Sequence, residues 1–130
     1  MNELKLKRGA DETSVFVAQD NEFHLKKGAS DFNTWVLEGH EVKPKLGAHT
    51  YNTYLWDGKE FKPKTGANGL NTFVFNGEEL KPKIGKTADT TWIFKSREWK
   101  PLEGASGTNT WVVKGDIPVP FVALKLLGLV

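Results

Sequence analysis

The sequence predicts an all-β protein: six tandem 19-residue β-hairpin repeats closing into a ring or barrel of about 12 short antiparallel strands, with pseudo-sixfold symmetry. Three observations carry this. Glycines recur at Gly9, Gly28, Gly47, Gly66, Gly85 and Gly104, each 19 residues after the last, with no insertion or deletion. Between them lies a strand-like run ending in a turn pair and a returning arm. The two ends of the chain carry complementary halves of that unit.

The first arm begins with a threonine series, Thr34, Thr53, Thr72, Thr91 and Thr110. An aromatic follows at Trp35, Tyr54, Phe73, Trp92 and Trp111, and then an aliphatic at Val36, Leu55, Val74, Ile93 and Val112; Phe16 and Val17 fill these places in the first repeat. Such residues favour a half-buried strand. Glu38-Gly39, Asp57-Gly58 and Asn76-Gly77 suit the positive φ angles of a two-residue hairpin turn. The returning arm is Lys59-Glu60-Phe61-Lys62-Pro63-Lys64 and its copies.

A turn at Asp57-Gly58 pairs Trp56 with Lys59, Leu55 with Glu60, Tyr54 with Phe61 and Thr53 with Lys62. Alternation then places Tyr54, Trp56 and Phe61 on a core face and Thr53, Leu55, Glu60 and Lys62 on the other. Pro63 falls opposite Asn52, where a ladder needs an N–H that proline lacks, so strands of about four residues are expected. The Lys-x-Gly-Ala segment leads to the next hairpin.

The chain divides into an orphan second arm (residues 1–10), the repeats (11–115) and an apolar C-terminal tail (116–130), all in a single domain. Residues 4–10 align with 61–67, a second arm without a first; Asn109 to Gly115 form a first arm whose partner is replaced by Asp116-Ile117-Pro118-Val119-Pro120. Pairing these two orphans completes the last hairpin and removes both sheet edges. A β-trefoil also holds six hairpins, but its threefold symmetry favours likeness between alternate repeats, and here the closest pair, 33–48 and 52–67, are neighbours. An open solenoid needs caps, a part the tail can play.

A ring of this kind has a backbone radius of about 12 Å and a hole roughly one helix wide. From Phe121 to Val130 the tail is apolar on nearly every side of a helix, with a single Lys125. One reading is a helix plugging the centre. The other is a tail docked on a membrane surface or a protein partner.

The chain has no cysteine, so disulfides and thiolate metal sites are excluded. No apolar run is long enough to span a bilayer as a helix, so no transmembrane segment is expected. The N-terminal Met1 to Arg8 is charged and alternating, without the apolar core of a signal peptide, so synthesis for the cytosol is expected; the compartment itself is not specified. The net charge of +2 does not by itself indicate nucleic acid.

No enzyme is expected. His24, His40 and His49 occupy three different repeat positions, and no serine lies in a nucleophile motif. Glu22, Glu41, Glu60, Glu79 and Glu98 recur in near-equivalent settings, whereas acid–base pairs need two different ones. They read as a solvated belt. No catalytic residue, metal ligand or cofactor is predicted.

The lysines are the candidate binding set. Lys26, Lys45, Lys64 and Lys83 share one repeat position with Lys7; Lys43, Lys62, Lys81 and Lys100 share another with Lys5. Both lie toward the Gly-Ala loops, while Asp20, Glu38, Asp57, Glu78 and Asp116 lie toward the turns, so one rim reads as basic and the other as acidic. Solubility and protection of strand edges explain such lysines. So do an anionic ligand on the basic rim, or head-to-tail self-association of one rim on the other. Asn33, Asn52, Asn71 and Asn109 are candidate loop contacts for a glycan ligand. The resulting expectation is a non-catalytic, multivalent binding or assembly module. The alternatives are a structural component of a larger particle or filament, and a carrier of an apolar ligand in the ring interior.

Overall fold

The computed structural model describes residues 2–11, 13–87 and 90–130, so Met1 of the orphan arm lies outside them. The strands are β1 (Asn2–Leu6), β2 (Phe16–Gln19), β3 (Glu22–Leu25), β4 (Trp35–Glu38), β5 (Glu41–Pro44), β6 (Tyr54–Trp56), β7 (Glu60–Pro63), β8 (Phe73–Phe75), β9 (Glu79–Pro82), β10 (Trp92–Lys95), β11 (Glu98–Pro101) and β12 (Trp111–Lys114), followed by helix α1 (Val119–Leu126). Each strand pairs antiparallel with its sequence neighbour, and β1 also pairs with β12, so the sheet is a closed barrel.

Closure follows the rule of the repeat. Glu3 pairs with Lys114, Leu4 with Val113, Lys5 with Val112 and Leu6 with Trp111, the same register by which Glu98 to Pro101 pair with Lys95 to Trp92 inside a hairpin. The N-terminal arm therefore stands in for the missing sixth returning arm. No edge of the sheet is left for other chains to pair with.

The hairpin register differs from the expected one by two residues. Trp56 pairs with Phe61, Leu55 with Lys62 and Tyr54 with Pro63. The turn is centred on Gly58-Lys59, and Asp57 takes a flanking place, its Oδ1 accepting the N–H groups of Lys59 and Glu60 at 2.9 and 2.7 Å. A shift of two preserves alternation, so Tyr54, Trp56 and Phe61 still face the core. Pro63 accordingly lies opposite Tyr54, not Asn52. Its missing N–H would point to β8, where the ladder has already ended at Phe61 and Phe73. Proline thus sits where neighbouring hairpins splay apart.

Inside the barrel, the returning arms contribute Leu4, Phe23, Val42, Phe61, Leu80 and Trp99, all 0–2 % exposed. The first arms add Phe16, Trp35, Tyr54, Phe73, Trp92 and Trp111 around them. These side chains leave a channel, and α1 fills it: Phe121, Val122, Ala123 and Leu124 are 0–1 % exposed, and the Phe121 ring stacks on Phe23 at 5.2 Å. Burying each large apolar side chain contributes about 1.5–3 kcal/mol. The tail is therefore a plug, and its apolar surface is used on the barrel interior.

Gly128, at φ 75°, ends the helix: its N–H donates to the Lys125 carbonyl and the Leu129 N–H to that of Leu124, the pairing that closes a helix through a left-handed residue. Lys125 is the one charge on α1. Its ammonium lies 5.3 Å from the ring centroids of both Phe16 and Trp111, which hold it by cation–π attraction. Phe16 on β2 and Trp111 on β12 flank β1, so the contact lies on that side of the barrel. On the opposite wall a cleft of about 360 Å³ remains, lined by Tyr54, Phe61, Pro63, Asn71, Phe73, Leu127 and Leu129.

Candidate functional site

The connections between hairpins form the rim opposite the turns, and a repeated set of hydrogen bonds makes each one rigid. The Oδ1 atoms of Asn33, Asn52, Asn71 and Asn109 accept the N–H groups of Ser30, His49, Asn68 and Ser106 at 2.7–2.8 Å. Their Nδ2 groups donate to the carbonyls of Gly28, Gly47, Gly66 and Gly104 at 3.0–3.2 Å. Ser14 and Thr90 stand in for asparagine in the other two loops, accepting the N–H groups of Asp11 and Thr87 at 3.1 Å. Below them, Thr34, Thr53 and Thr91 hydroxyls donate back to loop carbonyls at 2.6–2.8 Å. Each asparagine amide retains one N–H and one lone pair for an outside partner.

The predicted basic residues fall along the outer wall beneath this rim, where they meet the glutamate series. Lys26 reaches Glu3 at 3.0 Å, Lys45 reaches Glu22 at 2.9 Å, Lys83 reaches Glu60 at 3.0 Å, and Lys64 bonds Glu41. In each case the lysine stands 23 residues after its glutamate, one repeat plus four. Lys7 meets Glu98 at 3.0 Å by the same offset carried across the closure. Lys43, Lys62 and Lys81 approach the glutamates of their own arms, Glu41, Glu60 and Glu79, at 3.3–3.9 Å. Lys100 has no carboxylate within 4 Å among the described residues; it lines a groove with Lys7, Arg8 and Glu98.

The electrostatics follow the contacts. The hydrogen bond from Lys64 holds the Glu41 carboxyl below its ordinary range, aided by the charges of Lys64 and Lys43. Lys81, then Lys86, does the same for Glu79. Lys45 is raised by its hydrogen bond to Glu22 and by the charge of Asp31. Glu41, Glu60 and Glu79 each face two lysines, Lys43 being shared with Glu38 at 3.5 Å.

Above the belt, on the loops, are residues that sequence reasoning passed over. Phe32, Tyr51 and Leu70 are 83, 78 and 70 % exposed, and all three stand four residues after a repeat glycine. Leu46 and Ile84, each just before such a glycine, add to them at 46 and 60 % exposure. Ile84 lies across Gly69, where even one added carbon would clash at 2.2 Å. A single exposed apolar residue carries little information; recurrence at one repeat position does. The 19-residue register that revealed the threonines also contained this signal.

The histidines are dispersed. His24 Nδ1 lies 2.8 Å from the Leu25 carbonyl oxygen, His40 Nδ1 lies 3.2 Å from that of Trp56, and His49 Nδ1 accepts the Tyr51 N–H at 3.2 Å. Among the described residues no three His, Cys, Asp or Glu side chains come together in a way that would hold a metal ion. No described helix is long and apolar enough to cross a membrane. Comparison with known proteins finds no protein family, curated protein or solved structure that matches the chain.

Proposed function

We propose that this chain is a non-catalytic binding module whose contact face is the loop rim. The observation that carries this is the exposure of Phe32, Tyr51 and Leu70 at one repeat position on three successive loops. Leaving large apolar side chains in water brings no folding stability, yet here they are held on loops braced by the asparagine and threonine bonds. Rigid presentation lowers the entropy lost on binding. Three similar contacts on one body also add through multivalency, so each can be weak.

The test is a Phe32→Ser, Tyr51→Ser, Leu70→Ser triple variant set beside the natural chain on glycan arrays, on lipid vesicles and in sedimentation at several concentrations. Partner binding or self-association by the natural chain, reduced in a triple variant whose near-ultraviolet dichroism is unchanged, supports the rim. Equal behaviour of the two proteins in every assay overturns it.

A further inference from the structure

We infer that the partner of the loop rim is an anionic lipid bilayer surface, met by the sector that carries Phe32, Tyr51 and Leu70. The inference rests on the loop rim being the contact face. Three features of that sector select a bilayer over a folded partner or a glycan.

The first is the kind of variation at the repeated position. Phenylalanine, tyrosine and leucine share apolarity and size but not shape or hydrogen-bonding capacity. A site that reads one sugar or one peptide side chain through equivalent repeats needs the same residue in each. The boundary between lipid headgroups and acyl chains is fluid and accepts any large apolar side chain. Leu46 and Ile84, at 46 and 60 % exposure, extend the apolar set by the same logic.

The second feature is charge. Loop segments 45–52 and 64–71, which carry Tyr51 and Leu70, contain Lys45 and Lys64 and no carboxylate; the flanking segments 26–33 and 83–90 each hold two lysines, Lys26 with Lys27 and Lys83 with Lys86, against one carboxylate, Asp31 and Asp89. Each of these four segments therefore holds one more lysine than carboxylate, and the glutamates on the wall below, Glu41, Glu60 and Glu79, each face two lysines, Lys43 being shared with Glu38 at 3.5 Å. The loops across the barrel differ: Asp11 and Glu103 stand there, and the repeated position is Thr13 and Thr108. Apolar tips and surplus cations therefore coincide on one side of the rim, the arrangement by which a surface residue set binds anionic headgroups while its apolar groups enter the boundary. Long lysine stems allow the ammonium groups to stay at headgroup level.

The third feature is the cleft beside the end of the helix. It lies on the wall of β6 to β8 and is lined mostly by apolar groups including Leu127 and Leu129. Asn71, which follows Leu70 in sequence, is one of its lining residues. A surface in contact with lipid at this point offers an apolar space continuous with the bilayer, whereas against water the same opening exposes apolar lining.

Flotation of the full chain with vesicles of phosphatidylcholine alone, and of phosphatidylcholine with about 30 % phosphatidylserine, is the direct test. The expected result is binding to the anionic vesicles that weakens with added salt and falls roughly tenfold or more in the Phe32→Ser, Tyr51→Ser, Leu70→Ser variant. Thr13→Ser with Thr108→Ser, on the other side of the rim, should change nothing. Absence of binding to either vesicle, or binding that the triple variant retains, overturns the inference. If vesicles fail but the natural chain self-associates or captures a glycan through the same three residues, the bilayer is wrong and the rim stands. If all of these fail together, the rim falls too.

Discussion

Lys86 Nζ stands 3.5 Å from Glu79 Oε1, and it reaches there from a position where five other repeats carry alanine. The rule of the outer wall would place a lysine at 102 against Glu79, but Leu102 occupies that position. One repeat has lost its lysine, and the adjacent loop supplies another from a different place. The ring of ion pairs is thus retained around the circumference although the sequence repeat is broken.

An exchange tests this relationship. Lys86→Ala should lower the melting temperature by a degree or two, the usual scale of an exposed pair. Adding Leu102→Lys to that variant should recover most of the loss. In the natural background, where Glu79 already has Lys86, the same Leu102→Lys change should have less effect. Thermal melts of the four proteins give the coupling. Independent effects would mean that the two positions do not serve one glutamate.

The belt also sets an acid limit. The hydrogen bond from Lys26 holds Glu3 below its ordinary 4.5, as Lys64 does for Glu41 and Lys81 for Glu79. Asp57 is lowered from 3.8 by the backbone N–H groups of Glu60 and Lys59. A carboxyl whose folded value is depressed contributes stability above its unfolded value, and that contribution is lost as pH falls through the folded value. Stability should therefore be level from neutrality down to about pH 5 and decline below pH 4.5. Half-molar salt should flatten the decline where it arises from exposed lysine partners and leave the Asp57 part, which rests on backbone bonds. Melting curves between pH 7 and pH 3 at two salt concentrations check the sign.

The turns make a third prediction, because their two central residues differ between hairpins. Gly58 has φ 95°, whereas Asp20 and Asn21, and Ser96 and Arg97, take positive φ angles of 54–65° with ordinary side chains. Left-handed backbone costs an L-residue about 1–2 kcal/mol unless it is asparagine or glycine. Gly58→Ala should therefore destabilise by about that amount, and Ser96→Asn should stabilise by up to about 1 kcal/mol. Arg97 is left alone because its guanidinium donates to the Gly115 carbonyl at 2.9 Å. Urea titrations of the two variants provide the comparison.

These turns also mark where sequence reasoning stopped. The period, the core face and the closure could be read from Gly9 to Gly104 and from the two orphan arms, because alternation and spacing do not depend on turn detail. The register could not, because Asp57-Gly58 and Gly58-Lys59 both contain the glycine that a tight turn needs. Asp57 and Asn76 support the observed choice by accepting two backbone N–H groups each, yet Gln19, Glu38 and Lys95 flank turns of the same register, so the choice belongs to the repeat as a whole and not to one side chain. The lysines and asparagines stood out as candidates. Their partners lie one repeat plus four residues away, or in their own loop backbone, and become visible only once the ring is closed.

The tail gives the last prediction. The orphan pairing of β1 with β12 closes the ring, and Phe121 to Leu124 of α1 are buried among the inward side chains, so the barrel interior relies on the helix as its filler. Phe121→Ala removes the ring that stacks on Phe23 and should cost about 3–5 kcal/mol, with two-state unfolding retained. Truncation after Gly115 is a different matter. It opens the channel to water and exposes Phe23, Phe61, Trp99 and their neighbours, so the product should bind a hydrophobic dye strongly and aggregate. Supplying residues 116–130 as a peptide should then restore a compact barrel, because the channel is shaped by the strands and the peptide has only to fold into it. A truncated chain that stays monomeric, binds no dye and keeps the natural near-ultraviolet spectrum would mean that the barrel wall packs without a plug.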